Sequence, residues 1–216
     1  MGEYAFAYYK HNNIWLPGIT TIPANGFYGY SGAYISKAMF PNVTIVASSA
    51  FRYAAVASEI SIAGITSAYQ YAFANMTTLM TVNLPSLSGT AGVNLFYGDS
   101  ALASVSLPNL RACAGGTFYQ CYALTSINLP KVSYVSNTTF GYCSYLTAAY
   151  FPSLAKISST YAFRNCLRLV SLYLLSTAMV TLTNANAFTS TPISTYSTIA
   201  GHYGTIYVRA SLLATY

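Results

Sequence analysis

The sequence predicts a repeat solenoid, an elongated stack of short units with one parallel β-sheet of about nine short strands and irregular return segments. Three observations carry that prediction. Phenylalanine returns at Phe27, Phe51, Phe73, Phe96, Phe118, Phe140, Phe163 and Phe188, with steps of 24, 22, 23, 22, 22, 23 and 25 residues. Self-similarity at roughly 20 to 29 residues marks units that bury their apolar side only by stacking on neighbours. Short apolar–polar alternations closed by proline recur with the same period. The interval is also too short for a strand–helix–strand crossover of roughly 30 residues, so the parallel strands must be joined by turns.

The clearest copies run from Leu124 to Cys143 and from Leu146 to Cys166. Together they give L-x-x-I/V/A-x-L/F-P-x-L/V-x-x-I/V-x-x-x-x-F-x-x-C, with slack in the loop. In Ile127-Asn128-Leu129-Pro130 the period-2 alternation turns Ile127 and Leu129 inward, and Pro130 ends the strand because it has no N–H to continue a ladder. In chain order the strand slots are Trp15-Leu16-Pro17, Met39-Phe40-Pro41, Ile60 to Ala63, Val82 to Pro85, Val105 to Pro108, Ile127 to Pro130, Ala149 to Pro152, Leu172-Tyr173-Leu174 and, after a longer loop, Ile206-Tyr207-Val208. At about 4.8 Å per rung, nine strands span about 40 Å. On the return path the recurrent Phe reads as a core ladder, ring upon ring. Residues 1–13 are expected to cap the first repeat through Tyr4, Phe6, Tyr8 and Tyr9, residues 14–195 to form the solenoid, and residues 196–216 to supply the final strand and a C-terminal cap that stops short.

Composition narrows the function classes. The chain is 54% hydrophobic but only 6% charged, against about 25% charged in ordinary domains. Ser, Thr, Asn and Gly interrupt every apolar stretch before the roughly 18 to 20 residues of a membrane-spanning helix, so no membrane insertion is expected. Nine Lys and Arg face three acids, giving +6, yet the cations are scattered without a basic run. Phosphate-driven affinity needs clustered cations, so nucleic acid is not expected as a partner. The N-terminus shows no basic-then-apolar signal peptide. Asn42, Asn75 and Asn137 open Asn-x-Thr triplets; turn residues are the preferred reading over glycosylation sites.

Candidate chemistry is sparse. Cys121, Cys143 and Cys166 share one repeat slot, filled earlier by Tyr30, Ala54, Met76 and Asp99. A row about 5 Å apart is within disulfide range, but the slot reads first as buried free thiols, with a disulfide or a metal as alternatives. Cys113 falls near the slot of Val135 and Ile157 and reads the same way. Glu3, Glu59 and Asp99 occupy different repeat positions, and His11 and His202 lie in opposite caps. No paired carboxylates, nucleophile–histidine group, metal-ligand spacing or phosphate loop follows from such a set, so no catalysis, cofactor or metal centre is expected.

These units resemble the BspA-type leucine-rich repeat, which carries L-x-x-I/V-x-L/I-P and then A-F-x-x-C-x-x-L. The second half stands here as Thr117-Phe118-Tyr119-Gln120-Cys121-Tyr122-Ala123-Leu124, as Phe140-Gly141-Tyr142-Cys143-Ser144-Tyr145-Leu146 and as Ala162-Phe163-Arg164-Asn165-Cys166-Leu167-Arg168-Leu169. The likeness runs from about Ile14 to Val208. Gly204 to Leu213 is similar to the close of many bacterial and phage-encoded members, with Arg209 where proline is usual. The resemblance implies a curved right-handed leucine-rich-repeat superhelix, a non-enzymatic role in adhesion or recognition, and an extracellular, cell-surface or virion-associated location.

The exposed sheet face is then the regular place for function. With Ile127 and Leu129 inward, Ser126 and Asn128 point out, and the same register along the stack leads from small polar groups to a tyrosine stripe. The candidate ligand-binding residues are Asn83, Ser106, Asn128, Tyr150, Tyr173 and Tyr207. Tyrosine offers a large amphipathic contact at low entropy cost; the plainer reading is that it tolerates half-exposed strand positions. Two functions follow: an adhesion or recognition module for a protein or glycan, and a structural subunit of a self-assembling fibre or virion appendage.

Overall fold

Each repeat folds into three short segments that stack on their counterparts in the next repeat. The structure, a computed structural model, describes residues 1–8, 14–30, 40–55, 58–158, 160–194 and 203–215. His11, His202, Tyr9 and Met39 lie outside the described residues. The fold is a parallel β-solenoid with almost no helix, limited to 3₁₀ segments at Ala185–Phe188 and Ala210–Thr215.

The first segment is the predicted strand. Glu59–Ser61, Thr81–Asn83 and Ser104–Ser106 form one parallel run. Ser126–Asn128, Ala148–Tyr150, Ser171–Leu174 and Thr205–Val208 form another. Their inward residues Ile60, Val82, Ile127, Ala149 and Leu172 are buried, and Val105 is half-buried. Seven face strands are described instead of about nine. Ile14 and Phe40 keep inward, buried positions in the first two slots, but Trp15-Leu16-Pro17 makes no ladder among the described residues, where the partner slot at Met39 is absent.

The return path is more regular than expected. Two-residue strands at Thr21–Ile22, Ile45–Val46 and Ser67–Ala68 pair in parallel. Gly89–Thr90, Leu110–Cys113, Tyr134–Val135, Lys156–Ile157 and Thr181–Leu182 continue the same side of the stack as a five-stranded sheet. The solenoid therefore has a second ribbon beside the face strands, where the sequence predicts one sheet. Five of these strands carry a single buried residue, Ile22, Val46, Ala68, Val135 and Ile157, Leu110–Cys113 carries two, and Gly89–Thr90 and Thr181–Leu182 carry none.

The third segment holds the phenylalanines. Rings from Phe27 to Phe188 stack with centroids 5.0–5.6 Å apart and planes within 7–13° of parallel. Phe6 adds one more ring, 5.1 Å from Phe27, so the ladder begins one ring before the first predicted repeat. Backbone bonds around each ring alternate. Phe118 N–H donates to Thr139 of the next rung and its neighbours Gly116 and Gln120 donate to Asn137 and Gly141, while Tyr119 and Cys121 donate within the turn to Gly116 and Phe118. That alternation requires a left-handed residue on either side of the ring, as at Gly116 and Gln120, Asn94 and Gly98, Tyr71 and Asn75, and Tyr161 and Asn165. Glycine and asparagine adopt this conformation at least cost. At Gly98 a side chain is disfavoured by φ +74° and because a Cβ would lie 2.5 Å from Asn75 Oδ1, which would have to move.

Candidate recognition surface

The strand register aligns the six predicted face residues in two runs, Asn83 with Ser106, and Asn128 with Tyr150, Tyr173 and Tyr207. Ser61 pairs with Asn83, Asn83 with Ser106, Asn128 with Tyr150, Tyr150 with Tyr173 and Tyr173 with Tyr207. Asn83 Nδ2 lies 3.5 Å from Ser61 Oγ, and Ser106 and Asn128 are exposed. Tyr150 and Tyr173 stack at 4.3 Å and 6°, and Tyr173 and Tyr207 at 4.4 Å and 8°. These separations are shorter than any step of the buried phenylalanine ladder. Rings stacked along the solenoid axis use their faces on one another and turn their edges and hydroxyls outward, so the stripe is a rigid comb of phenol groups.

A second aromatic row lies on the turns beside the phenylalanines. Tyr97 and Tyr119 stack at 5.3 Å, and Tyr142 meets Tyr119 edge-on at the same distance. Burial, with Tyr142 and Tyr97 adding to it, pushes the Tyr119 hydroxyl up from its ordinary value. Arginines cap other tyrosines: Arg52 lies 4.4 Å from the Tyr71 centroid, Arg164 4.7 Å from Tyr161 and Arg168 4.3 Å from Tyr145. Sequence reasoning missed these contacts. The available signal was that Arg52 and Arg164 hold the position after the ladder Phe, where Tyr97 and Tyr119 stand in other repeats.

The cysteine slot is interior. Cys113, Cys121, Cys143 and Cys166 are all free and buried. The last three thiols donate to the carbonyl of the previous ladder phenylalanine, Cys121 to Phe96 at 3.2 Å, Cys143 to Phe118 at 3.1 Å and Cys166 to Phe140 at 3.0 Å. Cysteine suits the slot as a small apolar group with a weak donor. Cys113 shares its column with Val135 and Ile157, as the spacing predicts. Burial raises the pKa of Cys113, Cys121 and Cys166, which keeps these thiols protonated.

Asp99 occupies the same slot and is fully buried. Its Oδ1 accepts the Met76 amide at 2.7 Å, and its Oδ2 is buried without a hydrogen-bond partner. Burial pushes this carboxyl well above the usual carboxylate range, only partly offset by the Met76 bond. Glu3, by contrast, is exposed and accepts from Asn25, and Glu59 is exposed on the strand face. The three acids are thus not brought together, and among the described residues no group of three His, Cys, Asp or Glu side chains could hold a metal. A cleft of about 390 Å³ lies beside Thr147, Leu167, Val170 and Pro192, with Arg168 the one ionisable wall residue among the described residues. Among the described residues, no helix is long and apolar enough to cross a membrane. Of the Asn-x-Thr asparagines, Asn75 is one of the left-handed turn residues and Asn42 donates to the Pro17 carbonyl at 2.7 Å.

A ladder of aromatic and thiol core slots under an open parallel strand face defines a leucine-rich-repeat solenoid. The chain belongs to the BspA type leucine rich repeat family, whose model matches six copies over residues 1–113 and 90–208. Membership points to a protein-binding or adhesion-type repeat module. Among solved structures, a leucine rich repeat protein of T. pallidum is 24% identical with a TM-score of 0.54, covering 60% of this chain and 63% of that one. A leucine rich cell surface protein of Faecalibacterium prausnitzii is 15% identical with a TM-score of 0.51, covering 96% of this chain and 82% of that one. These two likenesses concern the fold. No curated protein sequence matches the chain.

Proposed function

We propose that this chain is a non-enzymatic recognition module that holds a protein or glycan ligand on its strand face, at the surface of a cell or particle. The observation that carries the reading is the Tyr150–Tyr173–Tyr207 stack. Side chains already fixed against one another lose little freedom when a ligand arrives, which lowers the entropy cost of binding. Because the stacks occupy both faces of Tyr173 and one face each of Tyr150 and Tyr207, the comb offers mainly hydroxyls and edges, which favours a hydrogen-bonding protein surface over a row of sugars stacked on free rings. Asn128 extends this run with a smaller polar group, and Asn83 and Ser106 form the other run. Family membership and the cell-surface relative support the location.

The test is an array of immobilised proteins and glycans, read with the full chain and with a Tyr150→Ser, Tyr173→Ser, Tyr207→Ser variant whose melting has been checked. A ligand captured by the parent and lost by the variant supports the face; undiminished capture removes it. A structural subunit is favoured by a different observation: on the last described rungs Ile206, Leu182 and Met179 are 39%, 46% and 49% exposed although Ile206 and Leu182 stand in core columns. Such a rung suits end-on stacking of another copy. Light scattering that returns one monomer mass at every concentration would remove this second reading.

A further inference from the structure

The formal net charge of the chain, with every acid counted as ionised, lies in one half of it. Residues 1–99 contain Lys10, Lys37 and Arg52 against Glu3, Glu59 and Asp99, three minus three, or zero. Residues 100–216 contain Arg111, Lys131, Lys156, Arg164, Arg168 and Arg209 and no acid, six minus zero, or +6. Half of that charge stands on three successive rungs of the second ribbon. Arg111 lies in Leu110–Cys113, Lys131 leads into Tyr134–Val135, and Lys156 opens Lys156–Ile157. The strands pair in parallel, with Tyr134 between Ala112 and Lys156. All three cations are exposed. Lys131 Nζ is held 2.7 Å from Asn109 Oδ1, which brings its charge back toward the Arg111 rung.

We infer that this stretch of the second ribbon is a docking surface for an acidic polysaccharide, separate from the tyrosine column and independent of it. Charge complementarity sets the sign of the ligand, since no described carboxylate stands on these rungs to neutralise the cations. The spacing sets its kind. The register staggers the cations, with Lys156 in the column of Ala112 and Tyr134, Arg111 one residue before that column and Lys131 three before it, and such a set suits a polymer with intermittent carboxylate or sulfate groups better than a phosphate backbone charged at every unit. Several residues around the cations bear hydroxyls: Ser133 is exposed, Thr181 is exposed on the rung beyond Lys156, and Ser136 and Ser158 are half-buried beside the Tyr134 hydroxyl. Hydroxyls suit a ligand rich in hydroxyls. The single aromatic there, Tyr134, does not make a platform on which successive bases could stack.

Heparin binding by the full chain, measured by calorimetry at low salt and again at raised salt, tests the surface, with neutral dextran and single-stranded DNA as comparison ligands. The parent should bind heparin in a salt-sensitive way and ignore dextran. An Arg111→Gln, Lys131→Gln, Lys156→Gln variant should lose at least about tenfold in affinity, whereas Arg164→Gln, Arg168→Gln, Arg209→Gln, which removes the same charge elsewhere, should stay within about twofold of the parent. Lys131→Arg with Lys156→Arg should retain binding, which separates loss of charge from loss of fold. Absence of heparin binding, equal losses in the two glutamine variants, or DNA bound as tightly as heparin would each overturn the inference.

Discussion

Phe118 is the most informative residue to remove. It is fully buried at the centre of the ladder, with Phe96 at 5.5 Å on one side and Phe140 at 5.3 Å on the other. Phe118→Ala leaves a ring-sized void that neighbours on adjacent rungs cannot fill without breaking their own stacks. The loss is expected near about 3 to 5 kcal/mol, the range for large-to-small core changes. Phe6 supplies the internal control, because it is only half-buried and has one ladder neighbour, Phe27 at 5.1 Å. Phe6→Ala is expected to cost about 1 kcal/mol, from partial burial and one aromatic contact. Urea unfolding followed by near- and far-UV circular dichroism measures both, with coincident transitions required before free energies are compared. If Phe118→Ala costs no more than Phe6→Ala, the rings are fillers and the argument for the ladder fails.

The remaining predictions concern the core slot and the turns. Burial raises the Asp99 carboxyl well above the usual carboxylate range, so the native state binds its proton more tightly than the unfolded chain. Stability is therefore highest below the unfolded pKa of about 3.9 and is lost as pH rises from there toward the raised folded value. Asp99→Asn should melt higher than the parent at neutral pH and converge with it near pH 4; a pH-independent difference would contradict the burial argument. The four thiols should be inert to a disulfide reagent in the native chain and titrate fully after unfolding, since all are buried and hydrogen-bonded or apolar in setting; rapid native labelling would refute that placement. Thr138, β-branched at φ 49°, should gain about 0.5 to 1 kcal/mol when replaced by glycine, while Gly98→Ala should lose stability, both read from melting curves.

Residue patterns made the core register legible because a half-buried strand alternates, and Ile60, Val82, Ile127, Ala149 and Leu172 are buried accordingly. Proline marked the end of four of the seven face strands, at Pro85, Pro108, Pro130 and Pro152, and the repeat length alone aligned Cys113 with Val135 and Ile157. The second ribbon was not legible for the complementary reason. A two-residue strand with one inward side chain has no alternation to display, and its regularity comes only from bonds to the next rung. The left-handed turns were hidden by residue type. Asn25, Asn94 and Gly116 advertise positive φ, but Tyr4, Tyr71 and Tyr161 hold it too, and tyrosine is not a residue from which that conformation is ordinarily read.

Those three tyrosines also explain why the first ring was missed. Tyr4-Ala5-Phe6, Tyr71-Ala72-Phe73 and Tyr161-Ala162-Phe163 are the same tripeptide, each with its tyrosine left-handed and its phenylalanine in the stack. The tripeptide, not the spacing alone, marks the turn. In the same way the candidate surfaces separate by what each repeat position must do. Ladder positions are committed to the core, and left-handed positions to the turns. The strand face and the outer side of the second ribbon are left free to vary, and there the chain places its tyrosine column and its unpaired cations. A ligand that bound the turns would have to contend with residues already held by inter-rung bonds such as Phe118 to Thr139. A ligand on either ribbon meets side chains that the fold does not need.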